Sequence, residues 1–418
     1  MPNDDVFKQD VNDWLDANWN PDRSLREWRE LLVDSGWASP SWPKEYLGLG
    51  FNEIQAESVE EIFFERAVVG AAKAGSRHLA AETILVHGTE EQKRKYLRPI
   101  LTGEHFWCQL FSEPGSGSDL AGASTKAEKV DGRWIINGQK VWTTSAHHAD
   151  FGLLVARTNW DVPKHQGLSY FLFDMHQPGV EVRPLKQMNG HSSFNEVFIT
   201  DAVAHDSDLL GEEGEGWRIA GTTLSKERRL GRFKDRSGEW FRGLEGRIYE
   251  EYLAEIDEEM EPYKWYPQRW GRVELALPRA VESGAIHDPS VVQEIGRLLC
   301  LSEAAELAKI SVEQKQRAGL NQIIPEGSVQ KLASSVISRQ AAHVHTLISG
   351  SRAMLSGPIA EPDGLVAEIL TSVPAHSIAG GTDQIQRNIL AERVLGMPKE
   401  PRADTGPFRD VPRNVFDL

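Results

Sequence analysis

The spacing of apolar positions divides the chain into three textures. From Asp4 to about Leu101 apolar residues recur at helical intervals, and Leu25, Trp28, Leu31 and Leu32 share one face. The Ser39–Pro43 stretch interrupts this pattern; helices are expected again over Asn52–Phe64 and, in an alanine-rich segment, from Val68 towards Leu85. Between about Phe106 and Leu210 the period shortens to that of strands. Trp134–Ile136, then Asn137-Gly138, then Gln139–Thr143 predict a β-hairpin, because Asn-Gly supplies the positive φ angles of a type I′ turn. Phe151–Thr158, Leu168–Asp174, Val180–Leu185 and Phe194–Thr200 are further strand candidates, set apart by Pro, Gly and Asp clusters. After Gly216 helical spacing returns, and Val291–Arg317 and Ser328–Leu355 are long, amphipathic and largely free of Pro and Gly.

The pattern predicts an α+β fold: helices over 1–105, a compact β domain over 106–212 forming a middle layer, and helices over 213–418. One stretch, near 232–274, differs in character. Tyr249–Met260 is an acidic helical run, and Tyr263–Trp270 sets four aromatics among charges. It reads either as a surface helical hairpin or as an insertion that contacts a partner.

Composition narrows the partners. With 418 residues the chain can bury a sizeable core, and a formal charge of −16 argues against a nucleic-acid groove or an anionic membrane as partner. Only two cysteines occur, Cys108 and Cys300, which excludes a disulfide framework and a cysteine metal site. Met1–Asp16 is polar and acidic, unlike a signal peptide, and no apolar run approaches the roughly 20 residues that span a bilayer. A soluble cytoplasmic protein is expected.

Three segments carry candidate chemistry. In Phe111–Asp119, Pro and Gly impose a side-chain-poor loop whose backbone N–H groups can converge on an anion, and Ser112, Ser116 and Ser118 add hydroxyls; a plain turn is the alternative. Trp142-Thr143-Thr144 places an indole able to stack on a planar ring beside hydroxyls for its polar edge, or is simply a strand end. In Gly380–Arg387 a glycine turn leads into a helix N-terminus, which is either an anion site or an ordinary cap. His147 and His148 lack a carboxylate cluster and are expected to be structural.

Together these segments resemble the acyl-CoA dehydrogenase family over nearly the whole chain. The resemblance rests on Trp42–Tyr46, His87–Lys93, the Ser112–Asp119 loop, Asn137–Thr143, Phe194–Val197 and Ile378–Gly396. It implies an N-terminal helical domain, a middle β domain and a C-terminal four-helix domain, with FAD held between the β domain and helices, often across a subunit interface. It further implies that Leu110, Phe111 and Ser112 lie along the flavin, with Ser112 at its pyrimidine edge. Gly117 and Ser118 would approach the pyrophosphate, Ser118 also lying near the substrate thioester. Trp142, Thr143 and Thr144 would meet the flavin, Trp142 by packing and Thr144 near its reactive nitrogen, while Thr382 and Gln384 would touch the dinucleotide. The implied substrate is an acyl-CoA, and the implied electron acceptor is an electron-transfer flavoprotein.

Two departures from the family pattern matter. Most relatives carry the α-proton base, a Glu, where this chain has Gly380. A minority supply it from an earlier helix in a Leu-x-x-Glu-Arg context, which Leu224–Arg228 matches, making Glu227 the candidate catalytic base. Helical spacing supports this: Glu227 falls three residues after Leu224, four after Thr223 and three before Leu230, away from Lys226 and Arg229. The second departure is Glu282–Pro289, which lacks the Arg and Phe-Gly that usually grip FAD in a neighbouring subunit. The chain therefore resembles either a subunit of the α2β2 heterotetramers that take bulky, steroid-like acyl-CoA thioesters, or a homodimer or homotetramer with an altered grip. A flavin monooxygenase on the same fold and a non-catalytic partner subunit are the alternative functions.

Overall fold

The computed structural model describes residues 4–73, 75–227, 238–317, 326–355, 357, 364–402 and 404–412. These group into two compact units: 1–185 with 193–262 and 403–418, and 186–192 with 263–402. Residues 213–227 and 238–262 thus group with the preceding helices and sheet.

The first unit begins with five helices: α1 (Asp4–Asn18), α2 (Leu25–Asp34), α3 (Glu53–Glu65), α4 (Gly75–His87) and α5 (Glu90–Thr102). Three of their starts are written as capping boxes: Ser24 with Glu27, Asn52 with Gln55 and Thr89 with Gln92 each satisfy two otherwise orphaned N–H groups. On α2 the face Leu25, Trp28, Leu32 is buried as its spacing predicts, whereas Leu31 is half-buried at its margin. The expected helix from Val68 starts only at Gly75. Before it, Val69 O accepts from Trp28 Nε1 (2.6 Å), Ala67 O from Tyr249 Oη (2.7 Å), and Ala72 N donates to Leu101 O (3.0 Å). Backbone groups engaged with other elements cannot form the helical ladder.

Among the described residues seven strands follow: β1 (Trp107–Leu110), β2 (Lys126–Val130), β3 (Arg133–Thr144), β4 (Phe151–Arg157), β5 (Leu168–Asp174), β6 (Val180–Leu185) and β7 (Phe194–Ala204). They form one sheet in the order β1-β4-β2-β3-β7-β6, with β5 also paired to β4. The expected Asn137-Gly138 hairpin is not there; β3 runs straight through it. The reversal lies at Asp131-Gly132, with φ of 49° and 78°, the positive pair a type I′ turn requires. Asn137 and Gly138 instead mark a register break against β7, where the Asn137 side chain exchanges hydrogen bonds with Asp201. Glycine is needed at 138 because a Cβ there would come within 2.8 Å of the Thr125 Cα. The paired strands β4 and β5 are buried on both faces along most of their length, as covered strands are.

Among the described residues the first unit also contains α6 (Gly216–Glu227) and α7 (Arg247–Met260). The acidic run is α7, and it is not a solvated hairpin. It buries Ile248, Tyr249 and Ile256, and Glu255 accepts from the buried Arg29 (2.6 Å) and Arg77 (2.9 Å). Burial works to raise the Glu255 carboxyl, but the two guanidinium groups hold it below its ordinary value. Glu259 also pairs with Arg77. An acidic helix is thus retained by the chain's own arginines.

The second unit contains α8 (Tyr266–Arg269), α9 (Val273–Glu282), α10 (Pro289–Arg317), α11 (Glu326–Ser349), α12 (Leu365–Ile378) and α13 (Asp383–Arg393). Its core joins Ala276 and Ala280 to Val291, Ile295, Leu298, Ala341, Val344 and Ile348. The helix expected to reach Leu355 ends at Ser349 and tightens into a 3₁₀ turn over Gly350–Met354. Of the aromatics in 263–270, Trp265 is fully buried and stacks near His191. Among the described residues no helix is long and apolar enough to cross a membrane.

Candidate active site

The loop after β1 is built on a buried ion pair. Glu113 and Ser116 exchange backbone hydrogen bonds (2.9 and 3.0 Å), and Ser116 Oγ donates to Asp119 O (2.7 Å). Ser116 is therefore engaged within the loop, while Gly117 and Ser118 are exposed at its apex and Ser112 is half-buried. Beneath them the Glu113 carboxylate accepts from Ser124 N (2.6 Å), Thr125 N (2.8 Å) and Lys140 Nζ (2.8 Å). Lys140 is fully buried and donates as well to Phe111 O (3.0 Å) and Val155 O (2.8 Å). An ammonium has three donors and Nζ meets three acceptors, so the site satisfies the charged form. Burial pushes the Lys140 ammonium down, opposed by Glu113; burial would raise Glu113, but Lys140 and the two amides hold it below its ordinary value.

Two of the sequence motifs meet here. Val141 N donates to Ser112 O (2.9 Å), so the Leu110–Ser112 segment lies against β3 one residue before Trp142. A register shift between Lys140 and Thr143 breaks the ladder with β7, and within it Trp142 takes φ of 61°. A bulky non-glycine residue in the left-handed region is an outlier that its surroundings must impose. The consequence is exposure: Trp142 is 55% exposed and touches Phe194 only edge-on, at 5.7 Å between rings. Thr143 turns inward, its hydroxyl enclosed without a hydrogen-bond partner and its carbonyl accepting from Asn195 Nδ2 (3.0 Å). Thr144 is half-buried. Asn195 also meets His147 (3.3 Å), and His148 lies near Glu258 (3.6 Å). Among the described residues no group of His, Cys, Asp and Glu could hold a metal.

Helix α6 is anchored by hydroxyls. Thr223 Oγ1 lies 2.9 Å from Thr83 Oγ1 and 3.0 Å from the Tyr170 hydroxyl, and Tyr170 stands edge-on to Phe111 at 5.9 Å. A buried chain of contacts therefore runs from the start of the loop to α6. Glu227 falls one turn beyond Thr223 and is half-buried. The expectation that Lys226 lies on a separate, charged face needs correction. Lys226 Nζ turns in to Glu82 (2.6 Å), which also accepts from Trp42 Nε1 (2.8 Å). Arg228, Arg229 and Leu230 lie outside the described residues.

In the second unit the motif around Thr382 is a helix cap. Thr382 Oγ1 accepts from Ile385 N (3.2 Å), and Gln384 is exposed on the first turn of α13. Gly380, at φ of 67°, is exposed and offers no side chain for proton transfer. Buried Asp383 accepts from Lys331 and Arg339 (both 2.8 Å), and burial, with nearby cations, pushes His376 down to about 4. The Asp383 carboxyl lies well below its ordinary value, because these cations outweigh its burial.

Both shifts have the same sign for stability. A histidine depressed on folding contributes fully above 6.5, its ordinary value, and loses that contribution as pH falls towards 4. Asp383 contributes above the ordinary Asp range, about 3.9, and is lost below it. Unfolding titrations should show this unit weakening from pH 6.5 to 4 in the wild type and less steeply in His376→Gln. Asp383→Asn should cost about 2 kcal/mol at neutral pH by removing charge-assisted hydrogen bonds.

Comparison with known proteins follows this architecture. Family models match in chain order: acyl-CoA dehydrogenase N-terminal domain over 4–104, middle domain over 108–202 and C-terminal domain over 273–395. The chain is 33% identical over 389 residues to acyl-CoA dehydrogenase IpdE1 of Mycolicibacterium smegmatis, covering 90% of this chain and 88% of that protein. It is 37% identical over 373 residues to acyl-CoA dehydrogenase FadE34 of Mycobacterium tuberculosis, covering 88% of this chain but 46% of FadE34, so it spans less than half that protein's length. A solved structure described as "Tcur3481-Tcur3483 steroid ACAD" shares the fold, with a TM-score of 0.64 at 22% identity over 95% of this chain and 98% of that one. The chain belongs to the acyl-CoA dehydrogenase family, a class of oxidoreductases.

Sequence reasoning missed the supports of this site: Glu113 with Lys140, and Thr223 with Tyr170. Lys140 left a signal. It stands at the same strand parity as Trp134 and Ile136, both buried, so alternation along β3 already points it inward.

Proposed function

We propose that the chain performs FAD-dependent α,β-dehydrogenation of an acyl-CoA thioester to the trans-2-enoyl-CoA, with Glu227 as the α-proton base. The observation that carries this reading is the anchoring of α6. Thr223, one turn before Glu227, is tied through Tyr170 to Phe111, at the head of the segment matched to the flavin contacts. The thioester carbonyl acidifies the α carbon, and Glu227 is the carboxylate assigned to accept that proton. Bound flavin supplies the acceptor for the β hydride. Loss of the two hydrogens leaves the α,β double bond.

The residues present fit a flavin dinucleotide. Trp142 offers an uncovered indole face, held out by a strained backbone, beside the half-buried Thr144. Thr143, its hydroxyl turned inward, contributes through its main chain. Leu110, Phe111 and Ser112 form the adjoining wall. Gly117 and Ser118 present backbone and hydroxyl groups to phosphate, with Ser118 also serving the thioester. A Cβ at Gly115 or Gly117 would meet no atom within 4 Å, so the loop is open on its outer side. Thr382 and Gln384 are assigned to the dinucleotide by the family resemblance alone.

A bulky, steroid-like acyl group is favoured by the description of the solved relative as a steroid enzyme. That description also pairs two polypeptides, which supports a homologous partner subunit here. An electron-transfer flavoprotein is the proposed acceptor. Anaerobic mixing with a panel of acyl-CoA thioesters, without a reductase, tests the reaction class. Bleaching of the flavin by a bulky acyl-CoA is expected; a flavin that only a nicotinamide reductant bleaches would favour the monooxygenase reading.

A further inference from the structure

A segment remote in sequence is tied into the loop that carries Gly117 and Ser118. Phe408 is 2% exposed, with its N–H donating to Val162 O (2.9 Å), and Arg409 N donates to Trp160 O (3.0 Å). This fixes residues 404–410 on the connection between β4 and β5. The Phe408 ring lies under the guanidinium of Arg157, 3.5 Å from its centroid. Arg157 is fully buried and donates to Ala121 O (2.7 Å), Ala123 O (2.9 Å) and Lys164 O (3.1 Å). Lys164, 6% exposed, reaches the Asp119 carboxylate with both oxygens at 2.8 Å and pairs with Asp404 on its other side.

These contacts bracket the loop apex. On one side Ser116 is locked by Glu113 and by its own bond to Asp119 O. On the other, Lys164 holds the Asp119 side chain and Arg157 holds the carbonyls of 121 and 123. Only Gly117 and Ser118 lie between, exposed and without a bracket of their own. A nearly buried ammonium shared by two carboxylates is directional, so moving either carboxylate redirects it.

We infer that Lys164 is a positioning residue for the phosphate- and thioester-binding apex Gly117–Ser118, and that Asp404 of the 404–410 segment sets its aim. The inference rests on the assignment of Gly117 and Ser118 made under Proposed function. Lys164 touches neither substrate nor cofactor on this account; it fixes the backbone that does.

The test uses the flavin-loaded assembly with Lys164→Met, Lys164→Arg and Asp404→Asn. Lys164→Met should raise the KM for acyl-CoA about tenfold while kcat changes less than about twofold, the mark of lost ground-state binding rather than lost chemistry. Lys164→Arg should recover most of the loss, and Asp404→Asn should fall between. Native-state hydrogen exchange supplies a second readout: amides of 116–123 should exchange faster in Lys164→Met while those of β4 and β5 keep their wild-type protection. An unchanged KM with unchanged exchange at 116–123 overturns the inference, as does a loss of protection spread over the whole sheet. A wild type that acyl-CoA does not bleach would sink the functional reading instead, and the exchange comparison would still decide whether Lys164 holds the apex.

Discussion

Glu227→Gln should reduce kcat by about 10³-fold or more while flavin content and the KM for acyl-CoA stay near their wild-type values. Glutamine preserves the shape of the side chain and its hydrogen-bonding capacity but cannot accept the α proton. A base contributes in the transition state and little in the ground state, so the loss belongs in kcat. Glu227 is also well placed to be replaced without collapse. It ends the described part of α6, beyond the hydroxyl anchor at Thr223, and the buried residues of the helix are Gly216, Ile219, Ala220 and Thr223. Steady-state kinetics with a flavin spectrum on the same sample provide the check. Activity within tenfold of wild type would move the base elsewhere, and Gly380 cannot be that place.

Lys140→Met is expected to destabilise the protein by about 3–5 kcal/mol, because it leaves the buried Glu113 carboxylate without its countercharge. Its effect should reach function through the loop: Phe111 O, Val155 O and Glu113 all lose the donor that gathers them. Flavin affinity should therefore fall together with stability. The double change Lys140→Met with Glu113→Gln should recover part of the stability, since removing both charges avoids an uncompensated one. The pH dependence has a definite sign. Glu113 lies below its ordinary value in the folded protein, so its contribution is present above the unfolded carboxyl range and fades as pH falls through it. Denaturant titrations of the two variants at neutral pH and near pH 4 measure both effects. Equal stabilities of Lys140→Met and wild type would mean that the pair does not hold the loop.

The helices were legible because their starts and faces are local. Ser24, Asn52 and Thr89 announce their caps within three residues, and Trp28 and Leu32 follow the helical period. The strands were legible from apolar runs such as 168–174, which the structure reproduces as β5. The hairpin was not, because two turn signals compete within eight residues, Asp131-Gly132 and Asn137-Gly138. A glycine required for a close approach to Thr125 looks, in sequence, like one required for a turn.

The site divides in the same way. Ser112 and Trp142 are near neighbours through Val141, and both motifs were visible as local strings. What holds them was invisible, because Lys140 with Glu113 and Thr223 with Tyr170 are pairings across 27 and 53 positions. Asp404, Phe408 and Lys164 carry no local signal at all. The acidic run at 249–260 misled for a related reason: the partners of Glu255, Arg29 and Arg77, lie 226 and 178 residues earlier. Charge in a helix shows solvent exposure only when no countercharge folds back onto it.

Single-turnover flavin reduction separates proton abstraction by Glu227 from substrate binding. Flavin-loaded wild type and Glu227→Gln are mixed anaerobically with the same acyl-CoA, and the loss of oxidised-flavin absorbance is followed. Rapid bleaching is expected in the wild type; in Glu227→Gln the acyl-CoA should bind and perturb the spectrum without reducing the flavin. Bleaching of Glu227→Gln at the wild-type rate would contradict the assignment of Glu227 as the base.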